Sequence, residues 1–167
     1  SDGATFAGVT LAGSSRYVML ATSHGYGFVA EVASLVTKNR AGKQVLTIPT
    51  GSRILTPVSV NEPDEDWVAC ASSVGHLLIF PVAEMPILGR GKGQKIMQIP
   101  AAKLKLGDEW MQAFTVLGPD DDLKLYAGGR HLTLKEADQD HYVGDRARRG
   151  LKLPRGFQRV ERMEPAV

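Results

Sequence analysis

Residues 17–35, YVMLATSHGYGFVAEVASL, lie over residues 67–85, WVACASSVGHLLIFPVAEM, at a shift of 50 positions without a gap. Six of the nineteen positions are identical: Val18/Val68, Ala21/Ala71, Ser23/Ser73, Gly25/Gly75, Val32/Val82 and Ala33/Ala83. After one inserted residue the match resumes, with GKQVLTIP at 42–49 over GQKIMQIP at 93–100, both ending in Ile-Pro. A third, weaker copy, LKLYAGGRHLTLKEAD at 123–138, turns at Gly128 and Gly129 and is followed by the basic run Arg146, Arg148 and Arg149. Self-similarity at this period marks a blade or array architecture, in which each unit buries its apolar face against its neighbours.

Each unit reads as β structure, because short apolar and β-branched runs are bounded by Gly, Pro, Asn or Asp. Residues 18–22 and 28–32 predict a hairpin about 23–27, where glycine supplies the positive φ of a tight turn. Residues 68–72 and 77–82 repeat it. A third strand, 45–48 or 96–99, ends at a proline, which cannot extend a ladder. Val58 and Val60, and later residues 114–117, suggest a fourth strand before an acidic turn. Four short strands in some fifty residues is the proportion of a propeller-like blade, so the reading is all-β, with blades over 17–66, 67–122 and 123–165 of one domain, 1–167. Only 134–142 has a helical composition.

A net charge of +2 argues neither for nor against a polyanionic partner, but its distribution is informative. Residues 38–53 hold Lys38, Arg40, Lys43 and Arg53 with no acid, and residues 90–105 hold Arg90, Lys92, Lys95, Lys103 and Lys105, again with none. Residues 146–162 carry seven bases, among them Arg146, Arg148, Arg149, Lys152 and Arg155, against one acid. Acidic turns at 62–66 and 120–122 fall between these blocks. If blades pack radially, equivalent positions share one radius, and the bases form a positive strip that holds a polyanion by counterion release. Gly42, Gly89, Gly91 and Gly93 stand among them and let backbone amides approach phosphate. No apolar run reaches the length of a membrane span, and one cysteine supports neither an internal disulfide nor a zinc site, which fits a reducing compartment. The opening Ser1-Asp2-Gly3, without Met or a signal pattern, reads as a piece of something longer.

The stretches GRGKGQKI at 89–96 and NRAGK at 39–43, with their surroundings GYGFVAEVASLVTKNRAGKQVLTIP, GHLLIFPVAEMPILGRGKGQKIMQIP and GDRARRGLKLPRGFQRVERME, resemble the C-terminal domain of the A subunit of DNA topoisomerase IV. The resemblance covers nearly the whole chain and implies a β-pinwheel of four-stranded blades, here about three of a larger or open ring, whose basic perimeter binds and bends duplex DNA. The hallmark box of the related gyrase tail, QRRGGKG, is absent; 90–95, 40–43 and RARRG at 146–150 are degenerate relatives. That favours topoisomerase IV over the tail of the gyrase A subunit. An incomplete ring implies an open edge near the first residues.

The same resemblance places the strand-cleaving tyrosine, the Mg carboxylates and the ATP site outside this chain, so it implies no catalytic residue, metal or cofactor here. The implied role is to capture a duplex segment for ATP-dependent strand passage, supporting decatenation, supercoil relaxation and chromosome segregation. It also implies a cytoplasmic, nucleoid-associated homodimer of the A subunit, joined to the B subunit in a heterotetramer, and it permits chromosome-organising proteins as partners. A propeller-type protein-interaction module is the alternative, since kelch arrays share the period, but Gly128-Gly129 is the one double glycine that fits.

Other features read as structural. The four histidines lack metal spacing, and 89–95 does not satisfy GxxxxGK[ST]. Glu62, Asp64, Glu65 and Asp66 around Pro63 fit a solvated turn. Trp67 and Trp110 fit rings locked between blades, Leu78 and Phe80 fit the core, and Cys70 fits core filler.

Overall fold

The computed structural model describes residues 16–40 and 45–166, with the side chains of 38–40 excepted. Along the chain follow β1 (Tyr17–Ala21), β2 (Tyr26–Glu31), α1 (Val32–Arg40), β3 (Val58–Val60), β4 (Trp67–Ser72), β5 (His76–Pro81), β6 (Gln94–Lys95), α2 (Ala101–Leu106), β7 (Met111–Leu117), β8 (Asp122–Ala127), β9 (Arg130–Leu134), α3 (Glu136–Asp140), β10 (Leu151–Lys152) and β11 (Arg162–Ala166). The repeated hairpins are antiparallel pairs, Met19 opposite Val29 in the first and Ala69 opposite Ile79 in the second. Their turns depend on Gly25 and Gly75, at φ +85° and +94°. In the third hairpin Ala127 faces Arg130 across Gly128 and Gly129, both at positive φ, as a two-residue turn matched to strand twist requires.

Three sheets result, with strand orders β3-β1-β2-β6, β10-β5-β4-β7 and β11-β8-β9. The inner strands meet, β7 lying against both β3 and β11, while β6 and β10 form the outer edges. The alternation of side chains sorts each sheet's residues into two cores. Val68, Cys70, Leu78 and Phe80 pack with Met19, Ala21 and Val29 between the first and second sheets. Ala69, Ala71, Leu77 and Ile79 pack with Leu123, Leu125 and Leu134 between the second and third. The middle sheet is thus apolar on both faces. The remaining face of the first sheet, with Val18, Leu20, Phe28 and Ala30, is covered by Leu35, Val45 and Leu46. The far face of the third is polar: the Tyr126 hydroxyl donates to Glu164 at 2.8 Å, and the Arg162 guanidinium lies 3.7 Å from the Tyr126 ring centroid.

Phe80, Leu78 and Cys70 are buried, Trp67 packs partly buried on the second core, and the strands at 58–60 and 114–117 are present. The strands expected at 45–48 and 96–99 are not. Leu46 makes one isolated bridge, to Gly91, and the extended pairing near 96–99 stops at Lys95. Val45, Leu46, Ile96, Met97 and Ile99 are apolar because they are buried in the cores, not because they join a ladder. Two helices appear beyond the one expected. The first and second copies begin alike, with Val32-Ala33 and Val82-Ala83. Pro86 then holds Met85 extended, at φ −84° and ψ 141°, so the second copy leaves its helix after a single 3₁₀ turn. Val36 stands in the first copy where Pro86 stands in the second, and α1 runs on to Arg40. α2 follows Pro100 and stops at Gly107, which takes the left-handed conformation at φ 75°. The third sheet has three strands, and among the described residues β9 has no outer neighbour; the open edge expected near the first residues falls on 1–15, outside the described residues.

Candidate nucleic-acid interface

The second copy reaches its basic loop along the outer edge of the first sheet. Val29 N–H donates to the Pro86 carbonyl and Leu88 N–H to that of Val29, both at 2.9 Å, before Gln94 and Lys95 pair with Gly27 and Tyr26. The third copy does the same on the second sheet. Ile79 N–H donates to Tyr142 at 3.0 Å and Gly144 N–H to Ile79 at 2.9 Å, and Leu151 and Lys152 then pair with Leu77 and His76. Lys95 and Lys152 therefore occupy one equivalent position. Gly93 and Gly150, at φ +82° and +77°, precede these pairs, and any Cβ there would collide with the Gly27 or Leu77 carbonyl. Glycine lets each strap lie flat on its sheet.

Each basic segment also docks on the one before it. Gly91 N–H donates to Val45 and Thr47 N–H to Gly91, both at 2.9 Å. One repeat later Ala147 N–H donates to Ile96 and Gln98 N–H to Arg148, again at 2.9 Å. Gly91 and Ala147, at φ +116° and +72°, both take positive φ where the two segments dock. A chain of main-chain hydrogen bonds thus runs from residue 45 through residues 90–98 to residues 146–152, along the outer edges of two sheets.

Arg90, Lys92, Arg148, Lys152 and Arg155 are exposed. The Lys92 ammonium sits 4.5 Å from the Tyr26 ring centroid, a cation–π contact that keeps it at the rim. Lys95 is half-buried and donates to Gln98 Oε1 at 3.1 Å. Arg146 donates through its guanidinium to the Lys95 carbonyl at 2.7 Å and through its backbone N–H to Glu84 Oε1 at 2.8 Å, which ties the two loops together. Arg148 has only a 4.0 Å approach to exposed Asp145. Lys38 and Arg40 lie in the last turn of α1 with side chains outside the described residues, and Lys43 lies outside them altogether.

Arg149 is largely taken up by an ion pair. Its guanidinium grips Glu109 through two hydrogen bonds of 2.6 and 2.8 Å, and the Glu109 side chain is wholly buried. Burial raises the cost of the Glu109 charge, but the Arg149 fork and the Ser72 hydroxyl outweigh it and hold this carboxyl below the usual range. The pair joins residues 40 apart with no spacing pattern, so nothing in the linear order signals it. The contact between Lys92 and Tyr26 has a fainter trace: a ring, Tyr26 or His76, recurs at the same place in two copies.

The acidic turns are built differently. Asp66 is buried, and its Oδ2 accepts the Asn61 and Glu62 N–H groups at 2.9 and 3.0 Å, while Glu62, Asp64 and Glu65 are exposed. Asp121 likewise accepts Gly118 N–H at 2.8 Å. The turn after Val60 lies beside Tyr17, at the opposite end of the first sheet from β6. Among the described residues no three His, Cys, Asp or Glu side chains converge to hold a metal ion, and no helix is long and apolar enough to cross a membrane.

Antiparallel sheets that meet at their inner strands and are edged by straps from the following repeat define a β-propeller domain of the pinwheel kind. The family described as "DNA gyrase C-terminal domain, beta-propeller" matches residues 16–61 and 66–116, and the chain belongs to it. It is 43% identical over 159 residues to the A subunit of DNA topoisomerase 4 from Pseudomonas aeruginosa, covering 95% of this chain and 21% of that protein. The corresponding Escherichia coli protein is 35% identical over 162 residues, covering 97% and 21%. The solved E. coli ParC C-terminal domain superposes with a TM-score of 0.80 at 34% identity, over 93% of this chain and 62% of that one. The chain spans about a fifth of the length of the topoisomerase relatives it matches.

Proposed function

We propose that this domain binds duplex DNA along the strip formed by residues 90–95 and 146–155, without chemistry of its own. One observation carries the reading: the repeated docking of Gly91 on residues 45–47 and of Ala147 and Arg148 on residues 96–98, which sets basic loops far apart in sequence side by side. Arg90, Lys92, Arg148, Lys152 and Arg155 supply exposed charge, Lys95 and Arg146 add theirs while bracing the loops, and Lys38, Arg40 and Lys43 extend the set in the first copy. Within a longer topoisomerase IV A subunit, paired with its B subunit and working at the nucleoid in the cytoplasm, such a strip captures a segment for ATP-dependent strand passage. Decatenation, relaxation of supercoils and chromosome segregation follow from that capture.

Titrating a labelled duplex at several ionic strengths tests the reading. Log K falls with log salt at about 0.9 per phosphate neutralised, and Arg90→Ala or Lys92→Ala lowers that slope by about one. Affinity indifferent both to salt and to these substitutions rules the proposal out.

A further inference from the structure

Ile87 and Val143 are large aliphatic side chains left 52% and 43% exposed. Isolated exposed apolar residues need no explanation, but these two recur. Ile87 bridges Val29 and Val143 bridges Ile79, the same position on two successive straps. Each is β-branched, and each stands three residues before an arginine, Arg90 or Arg146. Exposed Leu88 adjoins the first. An aliphatic group gains nothing from a phosphate, yet each lies on a strap just ahead of a basic run, Ile87 before Arg90 and Lys92, and Val143, with Asp145 between, before Arg146 and Arg148.

We propose that Ile87 and Val143 are wedges that enter the minor groove of the bound duplex and partly unstack a base step at each strap. The proposal rests on the DNA-binding reading above and adds to it how the duplex is bent. Charge complementarity selects the partner: Arg90, Lys92, Arg146 and Arg148 bring the backbone against the rim. The aliphatic groups then leave water between bases, as wedge residues of minor-groove proteins do. β-branching suits the task, since a side chain restricted at χ1 loses little freedom on insertion. The strap backbone beneath is braced by its bonds to Val29 and Ile79, so the wedge has a firm base.

The test uses the 167-residue chain and a duplex of about 30 base pairs carrying a donor and an acceptor at its ends, so that bending raises energy transfer. The double variant Ile87→Ala/Val143→Ala is expected to cut the transfer gain by about twofold or more while the salt slope stays at the wild-type value. Ile87→Val/Val143→Ile is expected to keep the gain. A gain unchanged in the alanine variant overturns the proposal, as does a slope that falls together with the bend, which would mean the strap itself had moved. A wild-type chain that does not bind duplex at all defeats the DNA-binding reading, and the wedge with it.

Discussion

Replacing Arg149 by Ala strands the Glu109 carboxylate. The two hydrogen bonds, at 2.6 and 2.8 Å, reach a side chain with no exposure, whereas Arg149 itself retains 28%. Breaking a buried pair from one side costs about 3–5 kcal/mol. The partial exposure of Arg149 and the Ser72 hydroxyl that stays with Glu109 bring the expectation to about 2–4 kcal/mol. That is a large fraction of the stability of an ordinary domain. Urea unfolding followed by tryptophan fluorescence reads it, and Trp110, next in sequence to Glu109, makes a suitable reporter. The double variant Glu109→Gln/Arg149→Ala removes the orphaned charge and should recover at least about 1 kcal/mol relative to Arg149→Ala. The pH dependence carries a sign. The folded carboxyl titrates below its unfolded value, so the pair's contribution is complete above the ordinary glutamate range and fades as pH falls through the depressed folded value. In Arg149→Ala burial is opposed chiefly by the Ser72 hydroxyl alone, so the deficit should shrink on acidification. A loss below about 0.5 kcal/mol at neutral pH, or a double variant no better than the single, refutes this account.

Gly93→Ala and Gly150→Ala should each destabilise by about 2 kcal/mol or more, because positive φ and a collision with sheet backbone act together. Gly51→Ala, at φ +82° with nothing near its Cβ, should cost only about 1 kcal/mol; three equal losses in denaturant titrations would disprove the close-approach argument. His76 is held below the ordinary histidine pKa by burial and then by Arg149, so its contribution is complete above about pH 6.5 and is lost as pH falls through the lowered folded value. His76→Asn should flatten that part of the stability profile, and an unaltered slope between neutral and mildly acidic pH would count against the assignment.

The hairpins are legible in the sequence because Val18/Val68, Gly25/Gly75 and their neighbours repeat both the apolar alternation and the turn glycine. Residues 45–48 and 96–99 imitate strands for a physical reason: a segment that plugs a core between sheets is as apolar as a strand, and composition alone does not separate them. The extension of α1 rests on the absence of a proline at residue 36, visible only by comparison with Pro86. Pro100 and Gly107 bracket α2 in plain view. For the candidate site, the clustering of bases can be read directly, but the division between exposed Arg148 and buried-paired Arg149 cannot. Adjacent side chains of like charge point to different surroundings, and only the fold decides which one meets Glu109.

The straps also bear on how such chains change length. Every copy hands its predecessor a closing edge and takes its own from its successor, as β6 and β10 do for the sheets before them. Duplicating or deleting one whole unit in the middle of the row leaves every remaining sheet completed by the same kind of neighbour. The number of blades can therefore drift by gene duplication without inventing a new contact.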